Sequence, residues 1–592
     1  MIRLAHTSLR LLALSSLGLA ALAACGSEDG SVDATATSTT ATGAGGATAS
    51  TTSAGGNGGT TTTLSGGETT STTGSAGGGG AGGTIDPGKK LGEACANAGE
   101  CGSGFCADGV CCNTACDGAC SACSVTAGAL MDGTCLAGAV KNAEDAGTCD
   151  ETNGGCGGLC SCDAGGACGK KPLTVSGLSV GGNHSCALFA DGTVKCWGAN
   201  ASGQLGLGDM VRRGDKAAQM GDKLPFLEFG NGKTVKHLGS GEAHNCAILN
   251  GGSLKCWGSN ADGQLGLGDT AARGNDSGEM GEFLPPVNLG KGRTAVAVAL
   301  GSSHTCALLD DSTVKCWGLN DAGQLGLGDT SRRGNNPGEM GDSLPAVDLG
   351  KGKKAMAIVA GAEHTCALLD DSTVKCWGGN DFGQLGLGNT LRRGDNTNEM
   401  GDALPVINLG TNKKAMAISA GLTRTCAQLD DATIKCWGSG PSGQLGQGDA
   451  QNRGDNMNEM GDNLKPIDLG TNKKLLSHFG GAGHLCAKLD DESVKCWGRN
   501  LDGQLGLGDT AARGNEPNEM GEKLPTVDLG KGEKAVSMSL GLVHTCALLS
   551  SGAVKCWGKG DDGQLGLGDP LTRGNEPNEM GDNLPAVKLL GM

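Results

Sequence analysis

Not one tyrosine occurs in the 592 residues and aromatic side chains make up 2% of them, which excludes an ordinary globular mixture. Cationic charge is short too, with 46 Lys and Arg against 63 Asp and Glu and a net charge of -17. Nucleic acid and anionic lipid headgroups both need a positive footprint, so neither is an expected ligand, and the acidity favours solubility instead. The apolar run at residues 11–24 is too short for a comfortable membrane span. In the C-terminal part no glycine-free stretch carries a helical period, so a helical solenoid is disfavoured. What the chain has in abundance is glycine, with 111 residues, and cysteine, with 29.

Arg3, Arg10 and the apolar run have the layout of an export signal. Leu22-Ala23-Ala24-Cys25 resembles a bacterial lipobox, which implies that residues 1–24 are a signal peptide and that Cys25 is the lipidated first residue of the mature protein. The resemblance, with Gly26 following the cysteine, implies the outer membrane of a Gram-negative cell, reached through a lipid anchor. Residues 25–88 are nearly all Gly, Ser, Thr and Ala, a composition that cannot offset chain entropy by burial. They read as a tether with a reach on the order of 40–50 Å. Residues 89–171 hold 14 cysteines, Cys95 to Cys168, and too few apolar residues for a core. Disulfides are expected to hold that module together; it has no histidine and no second CxxC pair to match Cys120 and Cys123, which argues against zinc.

Residues 172–592 repeat one phrase seven times at a spacing of 60. Residues 186–198 read CALFADGTVKCWG and residues 203–206 read GQLG, and each unit carries one tryptophan: Trp197, Trp257, Trp317, Trp377, Trp437, Trp497 or Trp557. A fixed period of this size means one supersecondary unit copied. Each unit reads as a short apolar strand, then G-x-x-H-x-C-A-L, V-K-C-W-G, GQLG, a polar loop, and a fourth strand around L-P-x-V. Four short strands with Gly-rich turns fit a propeller blade, so the fold class is all-β. The segment HTCALLDDSTVKCWGLNDAGQLGLGD, residues 304–329, resembles the repeat of the regulator of chromosome condensation family. The resemblance extends over all seven units and implies a seven-bladed β-propeller. It also implies guanine-nucleotide exchange and chromatin binding. The uniform spacing, the acidic charge and the export signal oppose both, and they leave exchange-factor activity as the alternative by family analogy.

Two cysteines nine residues apart across a three-residue hairpin loop face each other, which predicts one disulfide per blade. The pairs are Cys186–Cys196, Cys246–Cys256, Cys306–Cys316, Cys366–Cys376, Cys426–Cys436, Cys486–Cys496 and Cys546–Cys556. His184, His244, His304, His364, His484 and His544 form a column that Arg424 interrupts. One histidine per blade puts neighbours about 10 Å apart, too far for a shared metal sphere, so the column is expected to bond backbone at blade edges. GQLGLG lacks the lysine and helix of a phosphate loop. Each tryptophan is expected between blades with its indole N–H on a carbonyl.

The loops after GQLG form the candidate binding rim. They carry Arg213, Arg273, Arg333, Arg393, Arg453, Arg513 and Arg573, a methionine from Met220 to Met580, and an acid two positions beyond it: Asp222, Glu282, Asp342, Asp402, Asp462, Glu522 or Asp582. Arginine and acid are expected to pair within each loop, with methionine plugging its base. Calcium at these carboxylates stays open, but no EF-hand-like string occurs, and no metal or cofactor is expected. Arg-Gly-Asp occurs at 213–215, 393–395 and 453–455, where the repeat imposes the first two residues. Catalysis needs unlike groups converging, whereas the residues that break the pattern, Phe382, Arg424, Gln447 and His478, are scattered. The expected function is a non-enzymatic, surface-anchored platform, monomeric, for a protein or polysaccharide partner. An enzyme with a site at the propeller centre is a further alternative. Residues 584–587 are expected to pair into the first blade and close the ring.

Overall fold

Residues 173–591 are described in full by the computed structural model, together with the backbone of short strands between residues 106 and 170. The residues expected to form a signal peptide, a lipidated Cys25 and a tether lie outside the described residues. Within the cysteine-rich segment, Cys106–Ala107 pairs with Val110–Cys111, Ser121–Ala122 with Leu136–Ala137, Cys149–Asp150 with Gly155–Cys156, and Cys160–Cys162 with Cys168–Lys170, all antiparallel.

From Val175 onward the chain builds seven three-stranded antiparallel sheets, one per unit. The third blade illustrates them, with Ala295–Leu300 inside, His304–Leu309 in the middle and Val314–Gly318 outside. The turn 310–312 joins the last two strands: Leu309 N–H bonds Thr313 O, and Asp311 accepts from the Thr313 amide and hydroxyl. Its last residue is left-handed, glycine at Gly192, Gly252 and Gly552 but Ser312, Ser372, Ala432 and Glu492 elsewhere. This hairpin places Cys306 opposite Cys316 with Cα atoms 4.1 Å apart, and all seven predicted pairs are disulfide-bonded in the same way. A thiol titration of the unreduced, denatured propeller region is expected to find none of these cysteines free. Replacing the pair Cys306 and Cys316 by alanine should cost about 2–3 kcal/mol in a urea melt.

The fourth strand is where the sequence reading needs correction. Around L-P-x-V the chain is extended but makes one ladder bond, Val347 N–H to Val314 O at 2.8 Å in the third unit. Pro345 has no N–H to add another. The blade's outermost element is instead a single bridge, with Gly318 and Arg333 exchanging both backbone hydrogen bonds.

Hydrophobic packing lies between blades. Leu308, Val314, Leu325, Val347 and Leu349 of the third unit pack with Ile358, Leu369, Trp377 and Leu404 of the fourth. Every tryptophan is fully buried, and Trp317 Nε1 donates to Gln264 O of the preceding unit at 3.0 Å. A buried lysine staples each junction: Lys315 Nζ donates to Leu289 O of the second unit and to Gly341 O of its own. Residues 584–587 do not pair into the first blade as expected: the Val587 N–H bonds Val554 O of the seventh, and residues 588–591 are the ones that repeat the staple on the first blade. Lys195 Nζ donates to Leu589 O and Gly221 O, Gly221 N–H bonds Lys588 O, and Val587 and Leu589 pack with Val180, Phe189 and Trp197. The ring is therefore closed around a central cavity of about 450 Å3 to which all seven units contribute.

Candidate functional site

The rim arginines do not reach the acids predicted for them. Arg213 Nη2 pairs with Asp209 Oδ2 at 2.6 Å, four residues earlier, and Arg273, Arg333, Arg453, Arg513 and Arg573 repeat this at 2.5–2.9 Å. The exception is Arg393, where Asn389 replaces the aspartate; its Nη1 donates to Arg392 O. The acids beyond the methionine clamp a different loop. Asp342 Oδ1 accepts from the Lys291 N–H, and Glu282, Asp402, Asp462, Glu522 and Asp582 bind the equivalent amides 51 residues earlier. Asp222 takes the Gly591 N–H and so binds the end of the chain. Arginine prefers the aspartate because both lie on one short loop, whereas the second acid sits inside a 3-10 turn that faces the preceding unit. Each methionine sits between loops of adjacent units: Met340 Sδ lies 3.4 Å from where a Cβ on Gly334 of its own loop would stand, and its Cε about 3 Å from that of Gly266 in the preceding unit, left-handed at φ 69°.

The Arg-Gly-Asp triplets are not presented as ligands. Arg213 is held by Asp209, Gly214 is buried and Asp215 is half-buried. In the fourth and fifth units that aspartate faces another carboxylate, Glu399 or Glu459, which accepts backbone N–H bonds from Gly394 and Asn396 or from Gly454 and Asn456. Burial and the neighbouring carboxylate raise the Asp395 and Asp455 pKa values. These glutamates are occupied by backbone donors, and no group of three metal-ligating side chains occurs among the described residues.

The histidine column bonds side chains of the next blade, not the backbone edge expected for it. His244 Nε2 lies 2.9 Å from Thr305 Oγ1, whose own proton goes to Gln264 O, so the imidazole donates from Nε2. The same relay links His304, His364 and His484 to Thr365, Thr425 and Thr545, His184 to Asn245, and His544 to Ser185. Burial lowers these imidazoles to about 3 to 4. Arg424 does bond backbone, at Gly481 O and His484 O.

One surface feature has no counterpart in the sequence reading. Each inner strand carries a bulge near its start, and the extra residue points to solvent. In the first two blades it is Ser176 and Lys236; in the next five it is Val296, Met356, Met416, Leu476 and Val536, between 47% and 62% exposed. Sevenfold equivalence puts these side chains around one end of the central cavity, flanked by exposed Lys354, Lys414, Lys474 and Lys534.

The model of the RCC1-like domain matches residues 163–460 and 275–590. The chain belongs to the RCC1-like domain family. The ultraviolet-B receptor UVR8 of Arabidopsis thaliana is 30% identical over 411 residues, which are 68% of this chain and 81% of the receptor. The secretion-regulating guanine nucleotide exchange factor of Bos taurus is 29% identical over 408 residues, 65% of this chain and 76% of that protein. Among solved structures, human WBSCR16 superposes with a TM-score of 0.47 at 18% identity, covering 64% of this chain and 86% of the other. The recurring lysines and tryptophans of this RCC1-like propeller sit at the junctions between adjacent blades. Among the side chains that differ from blade to blade are the bulge residues and the wall of the central cavity, where Glu242 is the one titratable group.

Proposed function

We propose that this RCC1-like propeller is a non-enzymatic binding platform, held at the cell envelope by a lipid on Cys25, and that its ligand is a protein docking on the face of the bulge residues. The observation that carries this reading is the exposed apolar arc of Val296, Met356, Met416, Leu476 and Val536 on five consecutive blades. Contiguous exposed apolar side chains on a soluble domain mark interaction sites, and five bulges that aim them outward hold them in place. An aliphatic and thioether arc suits a protein partner better than a polysaccharide, whose hydroxyls ask for hydrogen-bond partners. An enzyme at the centre would need unlike groups converging, and Glu242 has no partner of that kind on the cavity wall. Exchange-factor activity is supported by family likeness alone, because the units keep one length and none carries an insertion.

The triple change Met356→Ser, Met416→Ser, Leu476→Ser is expected to leave the melting temperature within about 1 °C, since these side chains are exposed. It should weaken cross-linking to envelope proteins at least tenfold, about 1.4 kcal/mol. Unchanged cross-linking would sink the arc as the docking face. Separately, Cys25→Ser is expected to move the protein from the membrane fraction to the soluble one.

A further inference from the structure

Six of the seven blade junctions are tied by the relay from histidine Nε2 through a hydroxyl or amide to the glutamine carbonyl of GQLG. The junction between the fifth and sixth blades has none of it. Arg424 replaces the histidine, Leu485 replaces the hydroxyl residue, and the Trp497 indole N–H, which would meet Gln444 O, has no partner.

Besides that indole, three side chains with unpartnered polar atoms lie at this one place. Arg424 is fully buried; its Nη2 donates to Gly481 O at 3.1 Å and His484 O at 2.8 Å, while Nε and Nη1 donate to nothing. Ser419 Oγ and His478 Nε2 are buried and unpartnered as well. The topology gathers them, because the inner strands Ala415–Ala420 and Leu475–Gly480 are stacked closely here. A Cβ on Gly480 would stand 3.0 Å from Ala420 O and 3.3 Å from Ser419 Oγ, and His478 projects from the same side of its strand as Gly480. The guanidinium lies against Gly421; burial first, and then the Arg424 charge, lower the His478 pKa to about 4. No carboxylate bears on Arg424; burial alone lowers its pKa, to about 9.

A guanidinium buried without a counter-charge is strongly disfavoured, and a water molecule would accept the hydrogen bonds while leaving the charge uncompensated. We propose that this junction binds one small monovalent inorganic anion, with Arg424 supplying the charge and two donors, and the Ser419 hydroxyl and His478 Nε2–H completing its shell. Chloride is an abundant anion of this class. The anion fastens the fifth blade to the sixth where the other six junctions use histidine and a hydroxyl.

Crystals of the protein soaked in sodium bromide should give an anomalous peak between Arg424 and His478. In solution, each tenfold rise in chloride above its Kd, with gluconate keeping the ionic strength constant, should raise the melting temperature by about 1–3 °C. The double change Arg424→His, Leu485→Thr restores the relay and is expected to abolish both the peak and the chloride dependence. Should that variant fail to fold, Ser419→Ala is expected to shift the chloride dependence to higher concentration. An empty difference map at the junction, or the same chloride dependence in the wild type and the variants, would overturn the site.

Discussion

Mild acid is expected to unfold the propeller, with stability falling steeply from pH 6.5 and not from the carboxylate range. The six column histidines and His478 are buried and neutral, with pKa values of about 3 to 4 against 6.5 in an unfolded chain. Protons therefore bind the unfolded chain first. Stability is full above pH 6.5 and is lost as pH falls from there toward the folded-state values. Each histidine contributes a slope of about 1.4 kcal/mol per pH unit, so seven together remove on the order of 8 kcal/mol between pH 6 and pH 5. That is comparable with the whole stability of many domains. Asp371 and Asp431, lowered to about 2, release their contribution only in stronger acid and leave this window to the histidines. Urea midpoints at pH 7.5, 6 and 5 provide the measurement. A profile flat down to pH 4.5 would contradict the buried neutral column, and His304→Gln should reduce the slope by about one part in seven.

Removal of residues 583–592 is expected to lower the melting temperature by about 5–10 °C. The segment buries Leu584 between the sixth and seventh blades and Val587 and Leu589 between the seventh and first, each with under a tenth of its surface exposed. Burial of such side chains contributes about 1.5–3 kcal/mol each. Its loss also takes one carbonyl from the buried Lys195 ammonium and the acceptor from Gly221 N–H. The open edge left behind is a template for pairing between molecules, so aggregation should accompany the loss. Calorimetry of the shortened chain decides the matter, and an unchanged transition would mean that the C-terminal segment does not close the ring. Leu589→Asn, which keeps the backbone bonds, should produce a smaller shift.

Sevenfold repetition made the disulfides and the packed indoles legible, because each such residue keeps its spacing and has one physical role open to it; it did not show that residues 588–591, and not 584–587, bond the first blade. The partners of the rim arginines were harder to read. Asp209 and Asp222 are both acids within reach of Arg213 along the chain, and only the fold shows that the second faces another unit. A signal for it was present in the fourth unit, where Asn389 removes the aspartate and the arginine loses its ion pair. Prolines such as Pro345 warned against a regular fourth strand, yet the apolar pattern around them looked the same as a strand's. The bulge residues escaped notice because a register shift of one residue changes which side chains face water. Arg424 and His478 stood out as exceptions at unrelated positions. The side chain at the column position reaches across to the next blade, and that crossing brings two oddities 54 residues apart in number to one junction.

The lysine staples carry a consequence for where such a chain has to start. Lys315 joins a carbonyl 26 residues before it to another 26 residues after it, and Lys195 makes the same pair of bonds although one of its partners, Leu589, is at the far end of the polypeptide. Seen from inside the ring, the seam between first and last units is chemically no different from the peptide-linked boundaries. Circular permutants that join residue 591 to residue 173 and open the chain in the loop around residue 352 should therefore reach the same native topology, with the ends exchanged for an ordinary loop.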